Sequence, residues 1–306
     1  MKCYFGIDIG GTNIKFGKFV DDQLVDIFQV KTRSNQDDPI NSIVNQLVEV
    51  VNEHLNDDEL VGIGIGVPGP VLDGVVMGAQ NIYWEIVDLQ NELNKHFKDI
   101  KIKICNDANA ATLGEWYYGK GNKANSMVFV TLGTGIGGGI IINGKLFEGV
   151  TGSAGEIGHI KIFPFNGRPC SCGLCGCLEQ YASASGIVKT AYGMIKNGET
   201  VLSKKKYLNT KDIFDAAKDG DKIAYEIVEK SAYYLAIGLA SVANTLNPEL
   251  IVLGGGVSKA GDILLDNVKK YFKELAFYSI TKTEIELATL FNDAGIYGCF
   301  YAVKEM

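Results

Sequence analysis

No apolar run in this 306-residue chain approaches the roughly 18 residues a membrane-spanning helix needs. The opening MKCYFGIDIGG has no apolar leader ending in small residues and turns at once into a strand-like pattern. A cytoplasmic protein with no membrane partner is expected. Positive charge is also short. The 29 Lys and Arg against 36 Asp and Glu leave a net charge of −7. That disfavours nucleic acid as the main partner, because neutralising phosphates needs clustered cations. The densest basic run, Lys204-Lys205-Lys206, reads as a solvated turn. Histidine is scarce, at three residues. His54 and His96 lie in charged helical surroundings and read as surface residues. In a reducing cytoplasm the seven cysteines argue against a disulfide framework and for metal binding or burial.

What is present has the order of an α/β protein. The length exceeds that at which one core usually stops growing, so one large or two medium domains are expected. Apolar runs at 3–9 and 14–20 flank Gly10-Gly11-Thr12-Asn13 and read as a strand–turn–strand. Residues 40–55 carry the helical period. A buried strand ends in the Gly/Pro loop of LVGIGIGVPGPV, 89–98 read as helix, and KIKIC (101–105) as strand. Asn106-Asp107 can cap the helix that follows. Strand, Gly turn and strand recur at 127–147. A long helix over 222–246 then runs into Pro248 and the strand ELIVLGGGV. The repeated order suggests two related α/β halves, with a seam near Tyr118-Gly119. The last helix, from about 294, can return to the first half. The expected domains are 1–118 plus about 294–306, and 119–293.

Three Gly-rich turns follow strands: Asp8 to Thr12, Gly133 to Gly138, and Gly254-Gly255-Gly256. Glycine lets a backbone approach phosphate oxygens, and successive N–H groups form anion-binding nests. Other phosphate motifs are excluded. GIGVPG (64–69) continues as loop and GTGIGG (133–138) runs into a strand, whereas a dinucleotide fingerprint must open a helix. GIIINGKL (139–146) has Leu146 where a P-loop requires Ser or Thr.

GEIGHIKIFPFNGRPCSCGLCGCLEQ, residues 155–180, concentrates four cysteines and one histidine. Cys170, Cys172 and Cys177, with His159 eleven residues before Cys170, can complete a tetrahedral Zn²⁺ shell. Spacing alone leaves Cys175 open as a ligand, and leaves open a redox Cys172–Cys175 pair. Asp107, at a strand end and opening a helix, is the candidate general base, since a helix N-terminus favours a carboxylate. The alternative is that it serves only as a cap.

DIGGTNIKFGKF, VGIGIGVPGP, CNDANAATLGE, TLGTGIGGGIIINGKLFEG, GEIGH, CSCGLCGCLE and LGGGV occur in this order. Together they resemble the ROK sugar kinases of the actin-like ATPase-domain superfamily, over nearly the whole chain. The resemblance implies two RNase H-like α/β domains with a cleft between them that holds ATP and sugar. It implies that Asp8, Gly10, Gly11, Thr12 and Lys15, with Gly133, Thr134, Gly135 and Gly137, approach ATP phosphates carried with Mg²⁺. Gly254, Gly255 and Gly256 would lie by the nucleoside. It makes Asp107 the base and Asn81, Asn106, Asp107, Glu156, His159 and Glu179 the sugar contacts. The pattern C-x-C-G-x-x-G-C-x-E selects Cys170, Cys172 and Cys177 and leaves Cys175 at a variable position. A shell closed by those thiolates and His159 has no open position, so the zinc would be structural. One ring nitrogen of His159 would bind zinc and the other meet a sugar hydroxyl.

The implied activity is ATP-dependent phosphorylation of a hexose, glucose at its 6-hydroxyl first. N-acetylmannosamine, fructose and β-glucosides remain alternative substrates. Repressors of the family carry an added N-terminal helix-turn-helix domain, for which a phosphate turn at Asp8 leaves no room. A non-catalytic zinc module would not explain the Gly turns or Asp107. The family also implies a homodimer, although the apolar surface of helix 222–246 can equally be core.

Overall fold

The computed structural model describes residues 1–195 and 200–306. Contacts divide them into one unit of Met1–Lys123, Lys145–Ala154 and Asn292–Met306, and a second of Ala124–Gly144 and Gly155–Phe291.

The first unit begins with the antiparallel strands β1 (Lys2–Ile9), β2 (Asn13–Val20) and β3 (Gln23–Lys31). After α1 (Pro39–Leu55) comes β4 (Glu59–Val67). A small ribbon of β5 (Val71–Leu72), β6 (Val75–Val76) and β7 (Val87–Asp88) leads into α2 (Leu89–Asn94). Then come β8 (Lys101–Asn106) and α3 (Asp107–Tyr117). The main sheet runs β3-β2-β1-β4-β8, with β1, β4 and β8 parallel. Alternating burial along β1 follows the period of two. Ile43, Val44, Leu47, Val50 and Val51 of α1 supply its core face.

The second unit repeats the plan. Its antiparallel pair is β9 (Ser126–Leu132) and β10 (Ile136–Ile142). The strands Leu250–Gly254 and Glu284–Leu287 lie parallel to β9 beyond it. Its helices are α4 (Glu179–Ala182), α5 (Ala184–Met194), α6 (Thr210–Lys218), α7 (Lys222–Leu246), α8 (Gly255–Ser258) and α9 (Asp262–Leu275). Thirteen residues of α7 are buried, so its apolar surface is core.

The chain ends in α10 (Ala294–Lys304), packed on α3, β1 and β4. The approach excludes side chains. A Cβ on Gly64 would lie 1.9 Å from the Cys299 carbonyl oxygen, and one on Gly298 would lie 1.6 Å from that of Ala110.

Three expectations change. The helix expected over 89–98 stops at Asn94, where the chain tightens and the His96 N–H bonds to the Leu93 carbonyl. Gly254–Gly256 is more than a turn, because Gly255 opens the one-turn α8. His54 is half-buried rather than a free surface residue. Its ring stacks on Phe28, 3.9 Å between centroids, and Nδ1 lies 2.9 Å from the Val50 carbonyl.

Candidate active site

In the first unit, the candidate residues Asp8, Asn106 and Asp107 lie at the carboxyl ends of parallel strands, where open α/β sheets bind ligands. Asp8 closes β1 opposite Gly66 of β4, and Asn106 closes β8 opposite Val67. Gly66 presents no side chain between them, and a Cβ there would sit 3.6 Å from the Asp107 Cα. Asn106 is the N-cap of α3. Its Oδ1 accepts from the Asn109 N–H at 3.0 Å, and its Nδ2 donates to the Gly69 carbonyl and to Asp107 Oδ1, both at 3.0 Å. Asp107 is therefore the first helical residue, not the cap. Its Oδ1 also accepts from the Ala108 N–H at 2.7 Å. The Asn106 amide thus serves to aim Asp107.

The turn Gly10–Thr12 is held by Gly10 N–H to the Asn13 carbonyl at 3.0 Å and by Thr32 Oγ1 to the Gly10 carbonyl at 2.7 Å. Asn81 lies in the 3₁₀ turn Gln80–Ile82 beside it, and a Cβ on Gly11 would come 3.1 Å from the Asn81 carbonyl. Lys15 faces Asp8 across the β1–β2 pair, but its ammonium bonds to the Asn292 carbonyl at 3.0 Å and to the Asp293 carboxylate. It secures the start of α10.

Burial, with the nearby Asp107 charge, pushes the Asp8 carboxyl from 3.8 up to about 7, opposed by Lys15. The folded chain therefore holds a proton on Asp8 between those values, where the unfolded chain has lost it. Stability is unaffected below about pH 4, falls as pH rises towards 7, and bears the full deficit above. At 1.36 kcal/mol per unit the deficit is on the order of 4 kcal/mol. Asp8→Asn should melt higher than the parent at pH 8 without divalent cations, and like it at pH 4. A variant no more stable at pH 8 refutes this.

In the second unit, the β9–β10 turn and Gly254 again lie at carboxyl strand ends, with Gly254 paired to Thr131. Gly133 N–H donates to the Gly135 carbonyl at 3.0 Å, and the Gly133 carbonyl accepts from the Ala184 N–H at 2.9 Å. Gly137 pairs with Thr131, and Thr134 is exposed at the tip. A Cβ on Gly135 would come 2.7 Å from Glu179 Oε2, so the turn and Glu179 adjoin. Gly256 lines a pocket of about 230 Å³ with Thr210, Lys211, Phe214, Lys218 and Lys259.

The ligand atoms of His159, Cys170, Cys172 and Cys177 lie within 4.8 Å of one another. Cys172 and Cys177 sulfurs are 3.6 Å apart, and Cys170 Sγ lies 3.7 Å from His159 Nδ1. A zinc tetrahedron with bonds of about 2.0–2.3 Å has edges of about 3.3–3.8 Å, which these two pairs match, and three cysteines with one histidine are a donor set of the kind that holds structural zinc. His159 Nδ1 faces the sulfurs, and Nε2 lies 3.8 Å from Glu156 Oε2. Glu179 Oε1 accepts from Cys170 Sγ at 3.0 Å. Cys175 is exposed and stands outside this group.

The model of the ROK family matches residues 4–306. The chain belongs to the ROK family. It is 42% identical to the glucokinase of Halalkalibacterium halodurans over 99% of this chain and 96% of that protein. The crystal structure of a ROK family glucokinase from Streptomyces griseus, in complex with glucose and AMPPNP, superposes with a TM-score of 0.83 at 32% identity. It covers 99% of this chain and 100% of that one. The xylose repressor of Caldicellulosiruptor bescii is 33% identical over 80% of this chain, but over 62% of its own length. As in ROK structures with two actin-like ATPase domains, both units here are α/β with mixed sheets.

Two residues of this ROK chain escaped the sequence reading. Lys161 Nζ lies 2.6 Å from Cys177 Sγ; its only signal is its place two residues after His159. Arg168 is one of two arginines in the chain. Its guanidinium lies over the Tyr181 ring and donates to the Gln180 and Gly186 carbonyls at 2.8 and 3.0 Å. It ties the cysteine loop to the helices after Glu179.

Proposed function

We propose that this ROK protein is an ATP-dependent hexose kinase that phosphorylates glucose on its 6-hydroxyl, with Asp107 as general base. The observation that carries the reading is the Asp107 carboxylate, held at the carboxyl edge of β1-β4-β8 by Asn106 and its own helix. Glucokinase relatives that match almost end to end favour glucose.

Phosphoryl transfer needs positioning, charge neutralisation and an acceptor for the hydroxyl proton. The sugar oxygen attacks the γ-phosphorus, the bond to the β-phosphate oxygen breaks, and the hydroxyl proton passes to Asp107. ADP and the sugar phosphate leave. Gly10–Thr12 and Gly133–Gly137 present backbone N–H groups to phosphate oxygens. The pocket beside Gly256 suits an adenine base between Phe214 and the lysine stems. Mg²⁺, when bound with ATP, supplies the charge that neutralises the phosphates. Asp8, at the carboxyl end of β1, would hold that ion, whose charge would offset the burial that otherwise keeps its carboxyl protonated.

Asn81, Asn106, Glu156, His159 and Glu179 hydrogen-bond the sugar, which rejects analogues lacking the matching hydroxyl. Zinc held by His159, Cys170, Cys172 and Cys177 keeps three of these in place. No helix is long and apolar enough to cross a membrane among the described residues. Membership of the ROK family supports a homodimer, and a monomer by light scattering would refute it.

A hexose and amino-sugar panel with coupled ADP detection tests the reading. Release is expected with glucose above N-acetylmannosamine, fructose and β-glucosides. No sugar-dependent release with any of them would refute a kinase, and preference for another sugar would refute glucose.

A further inference from the structure

Lys161 stands where the cysteine loop gathers its negative charge. The chain around it forms a short antiparallel ribbon. Leu178 N–H donates to the Ile160 carbonyl at 2.8 Å and Ile162 N–H to the Gly176 carbonyl at 3.0 Å, with Lys161 directly opposite Cys177. Residues opposite each other across such a bridge project on the same side. The Lys161 ammonium accordingly lies 2.6 Å from Cys177 Sγ and 4.0 Å from Cys172 Sγ.

A zinc ion of charge +2 with three thiolates and a neutral imidazole leaves a net charge of about −1. Two carboxylates sharpen the excess. Glu179 Oε1 is 3.0 Å from Cys170 Sγ, and Glu156 Oε2 is 3.8 Å from His159 Nε2. We propose that Lys161 is the charge partner of the Cys170–Cys172–Cys177–His159 zinc cluster, donating N–H···S hydrogen bonds that hold the three-thiolate site together. The inference rests on the zinc reading above.

A charged donor strengthens a bond to an anionic acceptor, and partners one shell out from a metal typically change its affinity 10–100-fold. Cys177 is fully buried while Lys161 is exposed. The lysine thus brings its charge from the solvent side to a sulfur that water does not reach. Because the ammonium is on that side, salt weakens the effect.

Zinc affinity of the full chain can be measured by competition with a chromophoric chelator at low and high salt, for the parent, Lys161→Met and Lys161→Arg. The parent is expected to bind one zinc per chain. Lys161→Met should bind about tenfold more weakly at low salt, with a smaller gap at high salt, and Lys161→Arg should recover most of the loss. With cobalt in place of zinc, the sulfur-to-metal charge-transfer band of Lys161→Met should shift while the tetrahedral ligand-field bands keep their pattern. Equal affinity of Lys161→Met and parent at low salt overturns the proposal. So does a salt-independent loss that Lys161→Arg fails to recover, which marks a packing role. A parent that takes up no zinc in the same titration refutes the zinc reading itself.

Discussion

Asp107→Asn lowers the kcat of glucose-dependent ADP release by a factor on the order of 10²–10⁴, with glucose affinity within about threefold of the parent by calorimetry. The amide matches the carboxylate in size, and its Oδ1 can still accept from the Ala108 N–H and from Asn106 Nδ2, the two bonds that place Asp107. What it lacks is a site to take the hydroxyl proton. Turnover should therefore fall without loss of fold or sugar. Full turnover in the variant would remove Asp107 as the base. Asn106→Ala should act by the other route. It deprives Asp107 of a donor and α3 of its cap, so it should lose about 1 kcal/mol of stability together with a smaller fraction of kcat.

On the proposed zinc reading, chelation should lower the melting temperature by several degrees or more and raise the glucose KM by about tenfold. The loop between Ile160 and Leu178 has little core of its own. Phe165 is 84% and Leu174 61% exposed, so apolar burial supplies little of its order. Phe163 packs on Tyr181 and Tyr234, and otherwise the loop is tied by the Arg168 bonds and by short backbone pairing of 160–163 with 176–178 and of Cys170 with Leu174. Structural zinc contributes an apparent ~10–16 kcal/mol in zinc-finger peptides, and even a fraction of that dominates a loop so held. The sugar groups respond because the same loop carries them: His159 would be a ligand through Nδ1, and Glu179 follows Cys177 by two residues. Cys172→Ser should reproduce both effects. Chelation that leaves melting and KM unchanged would count against a structural metal.

Much of this was legible in the sequence because the signals are local. The 3.6-residue period placed α7, and its buried positions follow that stripe. The Asn106-Asp107 pair after an apolar run marked a strand end and a helix start, and the cap forms as that chemistry requires. The Gly turns follow their strands, with φ of +81° at Gly255, a conformation that glycine adopts without strain. The ordered motifs identified the family, which the full-length match shows.

Other features depend on partners that local sequence does not reveal. His54 looked like a surface residue because its helix neighbours are charged, yet Phe28 from a different strand covers its ring. Asp8 stands out by its place in the first Gly turn, but only burial beside Asp107 raises its proton affinity. Lys161 carries no motif, and only the pairing of 160–162 with 176–178 brings its charge to a sulfur. Most strands, helices and glycine turns, and the residue types proposed to meet phosphate, proton and metal, follow from near neighbours along the chain, so they could be read before any packing was known. Tertiary structure alone decided which donors meet and how strongly each is charged. Packing joins residues as far apart as Cys299 and the Ile7 carbonyl, 3.2 Å from each other, and burial then sets the dielectric around each group.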